Sequence, residues 1–326
     1  MSRSGKAIGL VILILVLGVL PWIVRDGFYR HLVITTLINI TLAMSLWLIL
    51  RTGQLSIGHV ALMAIGAYTS TLLTMRLDLS FWLGLLAGGL MSAAVALVIG
   101  YLTLRLKGLY FSLVTFALAE VVRIIFNSVA PGLFGGPEGI TGIPKPSIFG
   151  YEFASFTPFY YLILVIVVLA ILIVARVDRS RIGMIFSAIS QADSLAESVG
   201  INIMKYKVMA FVLGSFMAGV AGSFFAHYFS YISAEHFTFW ISVYVLIYVV
   251  VGGSAVIIGP VIGACALTIA SQGFRSLGDY EPVVFGAALV LVLLFLPDGL
   301  ASLPERLREP ALRATACLKR SLAARR

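Results

Sequence analysis

Glu120 and Arg123 are the only formally charged residues well inside an apolar run long enough to cross a membrane. At a spacing of i, i+3 they share one helix face. Burying either alone in hydrocarbon is expensive, so the spacing predicts that they pair and turn toward protein. Two roles are open to such a pair: a structural ion pair near the outer membrane surface, or a site for a zwitterion or a proton. Gln54, Ser56 and His59 form a second polar set within Gly53-Gln54-Leu55-Ser56-Ile57-Gly58-His59. They would line a polar path or bond to neighbouring helices. Tyr110 and Asn127 add polar tips to the run that holds Glu120, which gives that helix an inward-facing stripe.

Other chemistry is not encoded. No G-x-x-x-x-G-K-[ST] loop is present, since Gly5-Lys6-Ala7 lacks both the first glycine and the hydroxyl, so ATP hydrolysis by this chain alone is not expected. His31, His59, His227 and His236 are dispersed and follow no metal-binding spacing, and no nucleophile is clustered with a base. Cys265 and Cys317 imply no disulfide framework. No cofactor is expected.

The longest polar interruption, Arg176 to Lys207, is a candidate docking element. From Met184 to Val199 the apolar residues Ile185, Ile189, Ala192, Leu195, Ala196 and Val199 recur at steps of three and four, predicting one short amphipathic helix. Gly200 followed by Asn202 supplies its stop. Such a helix either lies at the lipid interface or docks a soluble partner.

The elements that must position these groups are membrane spans. Of 326 residues, 60% are hydrophobic and 11% charged, which excludes an ordinary soluble domain. Apolar runs at about 7–24, 32–50, 54–75, 81–104, 109–127, 158–175, 208–231, 239–251, 255–272 and 282–297 predict ten crossings in an all-α polytopic membrane protein. The first run is read as a retained span, because no small-residue cleavage site follows Pro21-Trp22. The membrane domain is expected over 1–304, with 176–207 as a cytoplasmic loop and 305–326 as a basic cytoplasmic tail.

The net charge of +9 does not point to nucleic acid, since most basic residues sit beside spans or in the tail. With both termini in the cytoplasm, seventeen Lys and Arg fall inside and five outside. That asymmetry supports this orientation and an even number of crossings.

Two runs meet glycine-rich segments. One is Gly53 to His59, continuing to Gly66-Ala67-Tyr68; the other is Gly252-Gly253-Ser254, continuing to Gly259-Pro260 and Gly263-Ala264. Both predict helices broken at membrane depth, tolerated where protein or a water-filled cavity satisfies the freed backbone groups. Corresponding breaks in two halves of a transporter would mark its pathway, whereas close helix packing by small residues is the structural alternative. The outside loop 128–157 is too rich in Gly and Pro for a regular element.

Several blocks, in order, carry a resemblance: Gly53 to His59 with Gly66-Ala67-Tyr68; Lys107-Gly108-Leu109-Tyr110-Phe111; Gly135-Gly136-Pro137-Glu138-Gly139-Ile140-Thr141-Gly142-Ile143-Pro144; Arg181 to Asn202 with Tyr206-Lys207; Val251-Gly252-Gly253 with Gly259-Pro260-Val261-Ile262-Gly263-Ala264; and Pro297-Asp298-Gly299-Leu300. From about Ile38 to Arg308 the chain resembles the membrane permease subunits of branched-chain amino acid ABC importers, the LivM-type family. The resemblance implies an inner-membrane permease that translocates branched-chain or other hydrophobic amino acids. It also implies a homologous second permease subunit, two cytoplasmic ATPases and a periplasmic or surface-tethered solute-binding protein.

It implies ATPase coupling through Asp193, Leu195, Ala196, Glu197 and Gly200, and a pathway drawing on Gln54, Ser56, His59, Tyr110, Glu120, Gly252 and Gly253. Many relatives carry Arg-Glu-Asn-Glu ahead of the docking helix, where this chain has Ser190-Gln191-Ala192-Asp193. Docking here then rests more on the apolar face, or on a dedicated ATPase. Permeases of this type also serve importers of urea and short amides. An independent transporter driven by protons through Glu120 and His59 is the alternative of a different class.

Overall fold

The computed structural model describes residues 26–274 apart from 107, 149 and 150, together with isolated positions at 18, 21 and between 280 and 303. The helices in chain order are α1 (Gly27–Leu50), α2 (His59–Arg76), α3 (Phe81–Thr103), α4 (Leu109–Ile124), α5 (Pro131–Phe134), α6 (Phe156–Asp178), α7 (Arg181–Gln191), α8 (Asp193–Ser198), α9 (Ile203–Phe229), α10 (Phe239–Gly252) and α11 (Gly259–Phe274). A π turn, Ile125–Val129, extends α4. The strands are β1 (Ile140–Thr141), β2 (Ser147–Ile148), β3 (Tyr151–Glu152) and β4 (Tyr231–Ile232). They pair antiparallel as β1 with β4 and β2 with β3.

Helix α1 begins where the Asp26 carboxylate accepts the Phe28 amide at 2.9 Å, an N-cap that satisfies an otherwise orphaned donor. From Ile34 onward it is mostly buried, packed among α6, α9, α10 and α11. A helix apolar all round belongs inside a larger assembly of helices, and this one takes that place.

The other centre is the α2, α3 and α9 packing, built on small residues. A Cβ placed on Gly66 would lie 2.2 Å from the Gly219 carbonyl oxygen, so the two backbones touch. Ser92 Oγ donates to the Leu62 carbonyl at 2.8 Å and Ser223 Oγ to the Gly66 carbonyl at 3.1 Å. Hydroxyl-to-backbone bonds of this kind join helices in a medium that gives no hydrophobic drive between them.

Six described helical stretches are long and apolar enough to cross a membrane: 27–50, 81–103, 109–129, 156–178, 203–229 and 234–252. The ten expected crossings are thus reduced to six by this criterion among the described residues. The run expected at 54–75 becomes α2, whose helix starts only at His59, and that expected at 255–272 becomes the 16-residue α11. Runs 7–24 and 282–297 lie outside the described residues, apart from isolated positions. The short run at 239–251 gains length from a 3-10 turn, Ala234–Phe237, stacked ahead of α10.

Both glycine breaks are present. After α1 the chain runs without helix to Gly58, with Gly53 in the left-handed region at φ +76°. After α10 it runs without helix from Gly253, at φ +108°, to Ile258.

The single helix expected over Met184–Val199 is instead two. Ala192 takes an extended conformation, φ −159° and ψ 101°, and separates α7 from α8. The expected apolar face therefore splits. Ile189 (2% exposed) and Ala196 (4%) point inward with Phe186, whereas Leu195 (70%) and Val199 (73%) stand outside. Gly200, at φ +85°, closes α8 as expected, with the Ile201 amide donating to the Ala196 carbonyl at 3.1 Å. Asn202 belongs to the next helix, its side chain accepting the Lys205 amide at 3.0 Å as the N-cap of α9.

Candidate functional site

The sequence-predicted residues fall into three places. Gln54, Ser56 and His59 are buried behind α4, at the first glycine break. The Ile57 amide donates to Thr115 Oγ1 at 3.2 Å and Ser112 Oγ donates to the Leu55 carbonyl at 2.8 Å, so α4 satisfies part of the broken backbone. Contact is close: a Cβ on Gly58 would sit 1.8 Å from the Thr115 carbonyl oxygen. His59 Nε2 lies 2.6 Å from Ser45 Oγ on α1, and the Val60 amide donates to Ser242 Oγ on α10 at 3.2 Å.

This polar knot is incompletely satisfied. Gln54 Oε1, Ser56 Oγ and His59 Nδ1 are buried without a hydrogen-bond partner among the described residues. Tyr68 and Thr71, two and three turns further along α2, repeat the condition at their hydroxyls. All five such atoms thus lie between residues 54 and 71. Unsatisfied buried groups cost about 1–3 kcal/mol each, so their concentration on one segment marks a functional constraint or hydration.

The second place is the outward face of α4. Tyr110 (71% exposed), Leu113, Ala117, Val121 and Ile124 follow one another at helical steps along a single exposed stripe. Glu120 lies on it, bonded by Arg123, whose Nε donates to Oε1 at 3.0 Å. The ion pair forms as expected but at the surface of this chain, with side chains 39% and 26% exposed, instead of in its interior. A third member was not anticipated: Arg123 Nη1 reaches Glu235 Oε1 at 3.1 Å, from the turn ahead of α10. Two turns toward the N-terminus of α4, Phe116 packs edge-on against Phe239, with ring centroids 4.8 Å apart.

Gly252 and Gly253 occupy neither place. Both are buried, and a Cβ on Gly252 would lie 2.0 Å from the Gly259 carbonyl oxygen, where α10 meets α11. Here the glycines serve close helix packing.

The third place is the 176–207 segment. Asp193, at the start of α8, accepts from Lys207 Nζ at 2.9 Å, with side chains 16% and 4% exposed. Glu197 and Gly200 are exposed beside Leu195, while Ala196 is covered. Arg51, at the end of α1, makes two bonds to Asp178 Oδ1 of α6, at 2.9 and 3.1 Å.

The 176–207 segment and the first break are brought together. A Cβ on Gly53 would be 3.2 Å from Ser190 Cα, and one cleft of about 320 Å³ is lined by Gln54, Gly108, Ser190, Asp193 and Lys207. Sequence reasoning missed Lys207 as a buried partner, along with Ser45, Ser242 and Glu235. Lys207 carried a signal, being a lysine just inside an apolar run with an aspartate in the adjoining loop; the serines carried none.

Residues 29–294 match the family model described as "Branched-chain amino acid transport system / permease component". The chain is 32% identical over 323 residues to the high-affinity branched-chain amino acid transport system permease protein LivM of Escherichia coli K12, covering 92% of this chain and 76% of that relative. It is 31% identical over 181 residues to LivH of the same organism, covering 52% and 58%. A probable LivM of Methanocaldococcus jannaschii is 26% identical over 222 residues, covering 62% of each. No solved structure matches. With a family model spanning its described helices and a LivM relative covering nearly its whole length, the chain belongs to the family of branched-chain amino acid transport permeases.

Proposed function

We propose that this chain is the permease subunit of an ATP-binding cassette importer for branched-chain or other hydrophobic amino acids, delivered by a periplasmic or surface solute-binding protein. It pairs with a homologous permease, and two cytoplasmic ATPases supply the energy. Ten crossings in the inner membrane, with both termini cytoplasmic, complete the arrangement. The chain supplies a conduit and a lever and hydrolyses nothing itself.

The observation that carries this reading is the outward stripe of α4. A helix with Glu120 and Arg123 exposed on its surface is costly against hydrocarbon, so the stripe faces protein or water. A second permease closing over it creates a route with an apolar wall, Leu113, Ala117 and Val121, and one charged station. That suits a solute with an apolar side chain and a zwitterionic head. Relatives named both LivM and LivH support such a pair.

The test is co-purification of the chain with its membrane and cytoplasmic partners, followed by ATPase assays with candidate binding proteins loaded with leucine, valine or urea. Stimulation by a leucine- or valine-loaded protein is expected. Stimulation by the urea-loaded protein alone would move the substrate to short amides, and ATP-independent uptake by the purified chain would refute the importer.

A further inference from the structure

We propose that the Asp193–Lys207 ion pair is the joint through which the docking segment moves α9, with Lys207 as its positioning residue; this rests on the importer reading above. Lys207 stands where physics disfavours a lysine. Its side chain is 4% exposed, and it lies about one turn in from the N-terminus of α9, where the helix dipole also opposes a cation. Asp193 offsets both costs at 2.9 Å. Its own position, first in α8, favours a carboxylate. Lys207 is therefore comfortable only while α8 is in place. The position of α8 and the energy of α9 are linked by that dependence.

The surroundings let the joint turn. Two clefts flank it, one of about 320 Å³ reaching Gln54 and one of about 610 Å³ between Arg105, Glu197 and Asn202, and Asp193 and Lys207 are the two residues common to both. Ala192, extended and without a capping side chain, separates α8 from α7 directly beside the pair. The clefts leave room on either side of Lys207 for α8 to rock at Ala192, carrying the covered Ala196 with it.

The far side of the joint is stiff. From Lys207 to His227, α9 runs about 30 Å. Backbone contact at Gly66 and Gly219, and at Gly214 against the Ser45 carbonyl, fixes it to α2 and α1. At the outer end His227 Nδ1 lies 2.7 Å from the Pro144 carbonyl oxygen, and β4, just after α9, pairs with β1 of the outside loop. Movement entering at Lys207 has a continuous, packed course to the outer loop.

The experiment compares wild type, K207M, D193N/K207M and the exchanged D193K/K207D in the full complex, reading co-purification, basal ATPase and uptake per ATP hydrolysed. The double neutral variant removes both charges of the pair, so neither Asp193 nor Lys207 is left charged opposite a neutral partner. It is expected to assemble as wild type, while uptake per ATP hydrolysed falls about tenfold, the order expected when a coupling link is lost. The exchanged pair is expected to recover uptake to within about threefold. Wild-type coupling in D193N/K207M would overturn the proposal, and so would its failure to assemble, which would make the pair a folding element. A wild-type complex without ATP-driven uptake would refute the importer reading itself, independently of any variant.

Discussion

The Trp47 indole N–H donates to the Ser254 carbonyl at 2.8 Å, joining the last turn of α1 to the second glycine break. Residues some two hundred positions apart thereby place both breaks against the same end of α1. Trp47 is 1% exposed, and its ring also carries the Arg51 guanidinium 5.3 Å from its centroid. Trp47→Phe keeps most of the volume but leaves the Ser254 carbonyl without this donor. A loss of about 1–3 kcal/mol is expected, read as a lowered unfolding temperature of the detergent-solubilised complex. An unchanged unfolding temperature would show that water replaces the indole at no cost.

Gly58 sets how closely α4 approaches the first break. Gly58→Ala drives a methyl into the Thr115 carbonyl, which lies on backbone and cannot turn aside. Overpacking of this kind costs about 1–3 kcal/mol, and here it also disturbs the bonds from Ile57 and Ser112. Gly132→Ala is the control, since nothing lies within 4 Å of its added Cβ. Reduced yield of folded complex for the first variant and normal yield for the second is the expected pair of results.

Apolar run length and Lys/Arg asymmetry made the membrane class legible, and the two glycine breaks were legible because Gly, Pro and Ser interrupted apolar runs. Helix starts were less so: α2 begins at His59 because Gly53 and Gly58 must bend and approach α4, a tertiary demand that hydropathy does not carry. The docking helix was misjudged for a similar reason. Its three-and-four periodicity is genuine, but Ala192 is drawn out of helix where Asp193 meets Lys207 on another element. The Glu120–Arg123 pair was legible from i, i+3 spacing, whereas Glu235 came from a turn that shares no local pattern with it.

The charged station at α4 can be separated from a simple brace. E120R/R123E reverses the pair but places a carboxylate at position 123 beside Glu235, so it should be less stable than E120R/R123E/E235R. The triple exchange is expected to fold within about 1 kcal/mol of wild type, as suits a partly exposed pair. Uptake is expected to stay at least tenfold reduced, because the carboxylate no longer stands at position 120 on the outward stripe. Full transport by the triple exchange would leave Glu120 a structural ion-pair partner only.

Two adjacent residues of α8 make opposite predictions. Leu195 is 70% exposed and touches the body of the chain little, so Leu195→Glu should change stability by no more than about 0.5 kcal/mol. Under the proposed importer reading its effect falls on contact with the ATPase: the variant is expected to insert and hydrolysis to continue in the complex, while uptake per ATP falls about tenfold, the scale of a lost interface anchor. Ala196 is 4% exposed, so Ala196→Glu buries a charge against the first turns of α9 and should cost several kcal/mol, seen as loss of folded complex. Normal coupled uptake with Leu195→Glu would move the ATPase contact elsewhere, to Val199 and Glu197 on the same exposed surface.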